Sequence, residues 1–335
     1  MSYKSIRIAA AAALLLAFFV VMLGAYTRLT DAGLGCPDWP GCYGNLVLPS
    51  EKMSLLQAQT NYPDIPIEST KAWTEMAHRY AAGTLGFLII YISLMTLYRR
   101  KTNKQLPWHL PCALLGLLVF QAALGMWTVT LKLLPVVVMG HLLGGIVIVA
   151  CLSRFNLQLN GCLGKDLPQW RPWMRLAVLI VFLQIALGGW VSSNYAGIAC
   201  IGFPQCNGAW VPDLVLSKAF NVLSSIGLNY QGGLLDNDAR VTIQWVHRLG
   251  ALVTASYLLI LAAALGFNRH IPRLLKYAAA LLALLVVVQL SLGVLNVLYL
   301  LPLDVAVAHN GVAAMLLALV FGMLHFLRGV SSHAQ

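Results

Sequence analysis

The chain is predicted to be an all-α integral membrane protein: eight transmembrane helices in two repeat-related four-helix bundles, with both the N and C termini cytoplasmic. Three observations predict this. Of the 335 residues, 59% are hydrophobic and only 10% are charged, where a soluble globular chain carries about 25% charged residues. Eight apolar stretches reach the roughly 20 residues that a bilayer span requires. Blocks of sequence also recur half a chain apart, at shifts of 164 to 169 residues.

The spans are expected at 7–27, 74–98, 108–130, 136–156, 173–193, 242–266, 273–299 and 304–327. The first has Lys4 and Arg7 ahead of its apolar run, as a signal peptide would. Its apolar part is longer than the usual core of a signal peptide and lacks a clear small-x-small cleavage site, so a retained helix is expected. Two long polar loops remain, 28–73 and 194–241, and the other connections are short. Nothing in the sequence accounts for residues 213–240.

Orientation follows the basic residues. One side holds 14 of the 22 Lys and Arg residues, among them Arg99, Arg100, Lys101, Arg171 and Arg328, and one acid, Asp166. The positive-inside rule places that side in the cytoplasm and both long loops outside. The net charge of +11 is dispersed over short loops. A nucleic-acid surface would gather it on one face, so nucleic acid is excluded as a partner and membrane lipid is expected.

The repeat is visible residue by residue. Gly33/Gly197, Cys36/Cys200, Pro40/Pro204 and Cys42/Cys206 match at a shift of 164. Gln121/Gln289, Gly125/Gly293 and His141/His309 match at 168, and His78-Arg79/His247-Arg248 at 169. Residues 1–160 are expected to form one bundle and 161–335 the other. Four helices return a chain to its starting side, so the two units run in the same sense, about an axis along the membrane normal.

His78, His141, His247 and His309 each fall about five residues into an expected span. At 1.5 Å per residue, all four imidazoles lie about 7 Å below the outer helix ends. Four rings at repeat-related positions in hydrocarbon call for a shared reason. Two per bundle, from different helices, suit axial ligation of a haem in each half. The alternative is a set of core histidines bonded across helices. His109, His270, His325 and His333 have no repeat mates and are read as interfacial.

Glu75 lies three residues before His78, on the same helical face. Its counterpart is Gln244. One half can therefore do proton chemistry where the other cannot. Arg79 and Arg248 are candidate propionate partners or ordinary interfacial residues. Gly83, Gly144, Gly145 and Gly250 are expected to permit close approach of a helix or macrocycle. Each cysteine pair, Cys36/Cys42 and Cys200/Cys206, can form a structural crosslink or serve a thiol–disulfide step. Neither loop offers a histidine for a metal site. Cys112, Cys151 and Cys162 read as inert fillers or free thiols.

Thr27-Arg28-Leu29-Thr30-x-x-Gly33-Leu34-x-Cys36-Pro37-Asp38-Trp39-Pro40-x-Cys42-Tyr43-Gly44, followed by Glu75-x-x-His78-Arg79, resembles the haem A synthase family. The resemblance extends over essentially the whole chain. It implies oxidation of the C8 methyl of haem O to a formyl group, giving haem A for terminal cytochrome oxidases. It implies a haem b cofactor on His247 and His309, substrate haem ligated by His78 and His141, and Glu75 as the catalytic residue. It also implies disulfides Cys36–Cys42 and Cys200–Cys206, as in bacterial members with a pair in both outer loops, and residence in the bacterial cytoplasmic (inner) membrane. Partners implied are haem O, the protohaem farnesyltransferase that makes it, and an electron acceptor. The oligomeric state is not indicated. Two other classes share some features. A b-type electron-transfer cytochrome would need four histidines but not the Glu75/Gln244 asymmetry. A carrier would share the repeat but bind no haem tightly.

Overall fold

The computed structural model describes residues 3–49, 52–63, 65–162 and 164–328; His333 lies outside them. Among these residues ten α-helices follow in order: α1 (Lys4–Leu29), α2 (Lys52–Asn61), α3 (Ser69–Arg100), α4 (His109–Thr130), α5 (Pro135–Leu159), α6 (Arg171–Ser193), α7 (Leu216–Ala219), α8 (Asn237–Phe267), α9 (Arg273–Leu298) and α10 (Leu303–Phe326), with a 3-10 turn at Pro168–Trp170 before α6. Eight helices, all but α2 and α7, are long and apolar enough to cross a membrane. Among the described residues there is no strand, only isolated bridges at Cys42/Asn45 and Cys206/Ala209.

The expected spans match, with one systematic difference. Helices α3 and α8 start at Ser69 and Asn237, five residues before the expected 74 and 242. Their first turns are polar, so hydropathy does not mark them. The Asp236 carboxylate caps α8 by accepting the Ala239 amide at 3.0 Å, which starts the helix above the apolar stretch. His78 and His247 therefore lie deeper along their helices than five residues.

Helix α1 buries Ala10, Ala13, Ala17, Val21 and Ala25, a stripe at helical spacing. Small side chains there let backbones approach closely, as packing in lipid requires. Helix α6 buries Met174, Ala177, Val181, Ile185 and Gly189, the same stripe 164 residues on. Helix α1 packs on α3, α5 and α10, and α6 packs on α8, α10 and α5. Helices α4 and α9 close the two flanks, against α3 with α5 and α8 with α10 respectively, while α5 and α10 meet at the centre. This list of spanning-helix pairs is unchanged when each helix is exchanged for its counterpart.

The helix ends repeat the pattern. Arg7 Nε donates to the Leu159 carbonyl at 2.9 Å, and Arg171 Nε to Leu327 at 3.1 Å. Each bonds a carbonyl at the close of α5 or α10, and that of Leu327 also accepts the Leu167 amide at 3.3 Å. Four non-glycine pairs share left-handed backbone: Asp31/Tyr195, Tyr43/Asn207, Lys132/Leu300 and Leu133/Leu301, with φ between 47° and 63°. The last pair explains a shared glycine. A Cβ on Gly33 would sit 3.3 Å from Leu133 Cδ2, and one on Gly197 would sit 2.5 Å from Leu301 Cδ1.

Residues 213–240 gain an account. The Trp190 indole donates to Ala219 O at 2.9 Å, and α7 packs on α8. Tyr230 then crosses to the α4–α5 turn. Its amide donates to Lys132 O at 3.0 Å, and it packs with Leu124, Leu133, Leu134 and Val137. The second long loop thus braces the first half.

Candidate functional site

Helices α3 and α5 bring His78 and His141 together, with ring centroids 6.4 Å apart and planes at 80°. Two metal–imidazole bonds of about 2 Å each, on opposite sides of one ion, would put ring centres roughly 6 Å apart. Helices α8 and α10 bring His247 and His309 to the wall of one cavity of about 1040 Å³. Among the described residues, no three His, Cys, Asp or Glu side chains converge on a point that could hold a metal ion. Paired imidazoles instead suit an iron whose other ligands come from a macrocycle. The Nδ1 atoms of His78, His141 and His309 are buried without a hydrogen-bond partner among the described residues. In the first half the donor set and the spacing fit a haem; in the second half the two imidazoles line one cavity with room for such a group.

Each imidazole faces a glycine on a neighbouring helix. A Cβ built on Gly24 would lie 2.9 Å from His78 Cε1, and one on Gly125 3.3 Å from His141 Cε1. In the second half the distances are 3.2 Å from Gly188 to His247 and 3.3 Å from Gly293 to His309. Real Cβ contacts are rarely so short, so these positions reserve the space the rings occupy. Gly125 and Gly293 stand out in the sequence only as a repeat match; the contact of all four glycines with the histidines is set by helix packing.

Glutamines fix three of the histidine-bearing segments. Gln121 Nε2 donates to His141 O at 2.8 Å, and Gln184 Nε2 donates to His247 O at 3.0 Å and lies 3.1 Å from His247 Nδ1. Gln289 Nε2 lies 3.2 Å from His309 Nε2. Gly144 and Gly250 admit the first two, since a Cβ there would meet Gln121 at 2.7 Å and Gln184 at 2.3 Å. A Cβ on Gly145 would lie 3.5 Å from Gln121 Nε2, while one on Gly83 would meet nothing within 4 Å. Of the four glycines expected to allow close approach, Gly83 alone has no such contact.

Glu75 is 5% exposed and fully engaged. The Cys36 amide donates to Oε2 at 2.9 Å, and Arg79 Nη2 reaches Oε1 at 2.5 Å. Gln244 is equally buried, but its Oε1 has no partner among the described residues.

Arg79 and Arg248 turn toward the cysteine loops. Arg79 Nη1 donates to the carbonyls of Asp38 (2.9 Å), Pro40 (3.2 Å) and Gly41. Arg248 donates from Nη1 to Gly202 (2.9 Å) and Gln205 (3.1 Å), and from Nη2 to Cys200. The propionate role considered for them therefore competes with a loop-anchoring role visible in both halves. Both cysteine pairs are joined, with S–S distances of 1.99 Å for Cys36–Cys42 and 2.07 Å for Cys200–Cys206. Asp38 holds the first loop's turn by accepting the amides of Tyr43 (2.6 Å) and Gly44 (2.9 Å). Each half thus places a disulfide-closed loop over a histidine-bearing helix, pinned by the arginine next to that histidine. Cys112, Cys151 and Cys162 are unpaired.

Comparison with known proteins follows the same outline. The model of the COX15-CtaA family, described as cytochrome oxidase assembly protein, matches residues 7–321. A protein of Shewanella oneidensis named Heme A synthase is 44% identical over 323 residues, covering 95% of this chain and 96% of its own length. A Heme A synthase of a Chelativorans species is 32% identical, over 92% of this chain and 86% of its own. One from Caulobacter vibrioides is 28% identical, over 90% of each.

Proposed function

We propose a function from one premise: the chain belongs to the COX15-CtaA family of cytochrome oxidase assembly proteins. It is a haem A synthase, an oxidoreductase that acts on the C8 methyl of haem O and yields the formyl group of haem A. The observation that carries this reading is the asymmetry of two otherwise matching sites. One imidazole pair, His78 and His141 at 6.4 Å, has a carboxylate one helical turn away at Glu75. The other pair has Gln244 at that place.

The first half, residues 1–160, takes haem O, with His78 and His141 as axial ligands. The second half, residues 161–335, holds haem b on His247 and His309. His247 and His309 would hold that haem, and bound there it would supply one-electron transfer. Glu75 acts at the methyl carbon, where it accepts a proton or stabilises developing positive charge during two successive two-electron oxidations, each adding one hydroxyl oxygen and passing its electrons to the acceptor. The alcohol and then the gem-diol form, and the gem-diol loses water to give the aldehyde. Arg79 and the Cys36 amide hold the carboxylate in one orientation. The glycines opposite the histidines keep the rings aligned, and the two disulfide loops cover the sites.

The positive-inside pattern supports cytoplasmic termini in a bacterial inner membrane, with both cysteine loops in the periplasm. The disulfides suit that compartment. Haem O reaches the site from the farnesyltransferase that makes it, and electrons leave to an acceptor.

The ligand assignment is tested by optical spectra of the purified protein. His247→Ala should lose stable haem b while the wild type keeps it. An unchanged haem b spectrum and content would remove His247 from the ligand set. Supplied haem O left unconverted beside bound protohaem would indicate an electron-transfer cytochrome instead.

A further inference from the structure

The cavity that holds His247 and His309 is not lined by the second half alone. Arg28 and Asp31, from the end of α1 and the turn after it, lie in its wall, as does Arg240 of α8. Arg28 is tightly placed, with 15% of its side chain exposed. Its Nη2 donates to Ser192 O at 2.6 Å, its guanidinium lies 3.9 Å above the Tyr195 ring, and Nη1 is 3.5 Å from Asp31 Oδ1. The Tyr195 hydroxyl donates to the same Asp31 oxygen at 2.9 Å. Arg240 Nη2 donates to Gly233 O at 3.0 Å and Gly232 O at 3.2 Å. The two arginines are neighbours through one contact point: a Cβ on Gly233 would lie 3.2 Å from Tyr195 Cδ2 and 3.1 Å from Arg240 Nη2.

Both guanidinium groups keep a buried Nε with no partner among the described residues. Buried donors are nearly always satisfied, and both side chains that carry these unpaired groups also line the cavity. Arg248 also has an unpartnered Nε, but its two Nη atoms are committed to three loop carbonyls. Charge points the same way. Arg28, Arg240 and Arg248 line the cavity against one acid, Asp31. That excess suits a ligand carrying carboxylates, which guanidinium binds through directed hydrogen bonds.

We infer that Arg28 and Arg240 form a carboxylate-binding subsite at the loop end of the second-half cavity, with one arginine supplied by each half. The inference rests on the reading that this cavity holds haem b, whose propionates are the carboxylates concerned. The arginine pair is not repeated in the first half. The counterparts of Arg28 and Arg240 are Ser192 and Lys71, and Lys71 is paired with Glu68 at 2.9 Å. Arg28 is a positioning residue, and its charge also bears on the iron's preference between ferric and ferrous forms. A nearby cation disfavours the more positive ferric state.

The test is a redox titration of haem b in the purified full chain, with resonance Raman spectra of the propionate bending modes. Arg28→Gln should lower the midpoint potential and shift a propionate mode while the low-spin spectrum persists. Arg28→Lys should restore most of the potential. Asp31→Asn should raise it. A purely structural latch between Arg28 and Asp31 predicts the same direction for both charge-removing variants, and that result would overturn the subsite. So would an unchanged potential and propionate mode in Arg28→Gln. If Arg28→Gln fails to accumulate folded, Arg28→Lys and Arg240→Gln carry the test, and unchanged propionate modes in both overturn it. Absence of haem b from the wild type would instead overturn the reading of the second half.

Discussion

Glu75 and Cys36 are joined directly: the Cys36 amide donates to Glu75 Oε2 at 2.9 Å. The other carboxylate oxygen takes Arg79 Nη2 at 2.5 Å. The same side chain therefore stands one turn from His78 and anchors the start of the disulfide loop. Its chemical role and its anchoring role separate under a substitution that keeps shape and removes charge.

Glu75→Gln retains an oxygen to accept the Cys36 amide. The account expects haem content and the Cys36–Cys42 disulfide to persist while haem A formation stops. Haem content by pyridine haemochrome and product by chromatography check both halves of the statement. Normal haem A yield would remove Glu75 from the mechanism.

Gly24→Ala places a carbon 2.9 Å from His78 Cε1. The ring must shift, at an overpacking cost of about 1–3 kcal/mol. Binding of haem in the first half should weaken, while the haem b spectrum of the second half stays intact. Gly188→Ala should do the converse, since its neighbour is His247. Loss of the same haem in both variants would contradict the pairing of glycines with histidines.

Arg248→Ala removes hydrogen bonds to Gly202, Gln205 and Cys200 from a partly buried cation. Hydrogen bonds to charged groups contribute about 1.5–3 kcal/mol each where they are well shielded, and partial exposure reduces the sum. The expected result is a lower thermal midpoint and faster labelling of Cys200 and Cys206 after mild reductant, with Cys36 and Cys42 unaffected. Equal labelling of both loops in variant and wild type would show that the arginine does not anchor its loop.

The Lys218 ammonium and, after it, the Ala239 amide hold the Asp236 carboxyl below the usual carboxylate range. A lowered folded-state value means that the stabilisation is present at neutral pH, above the unfolded value of about 3.9. It is lost as pH falls through the lowered value. Thermal unfolding at pH 7 and pH 3 should therefore show a larger acid loss in the wild type than in Asp236→Asn, which keeps a good cap without the charge. Equal losses would exclude Asp236 from the acid response.

Much of this was legible in the chain because lipid imposes strong rules. Apolar length marks the eight spans, and repeat register singles out His78, His141, His247 and His309. The polar first turns of α3 and α8 were not legible, since they extend past the apolar signal, and that of α8 depends on capping at Asp236. The roles of Gly24, Gly125, Gly188 and Gly293 were hidden for a different reason. Any glycine in a spanning helix can serve close packing, and only the helix arrangement shows which one faces an imidazole.

The arginines teach a related lesson. Arg79 and Arg248 attract attention because they follow the histidines, yet along a helix consecutive residues point about 100° apart, and both turn to loop carbonyls. Arg28 is distant in sequence from the second half. It reaches that cavity because the end of α1 lies beside the end of α6, where Arg28 bonds Ser192, the residue at its own repeat position.

The most direct measurement is haem extraction, chromatography and mass spectrometry on membranes of a haem A-deficient host that makes haem O. The host would express either this chain or its Glu75→Gln variant. The account predicts a haem A peak with the wild-type chain and none with the variant, although both proteins accumulate. Haem O persisting unchanged beside a folded, haem b-loaded wild-type chain would contradict it.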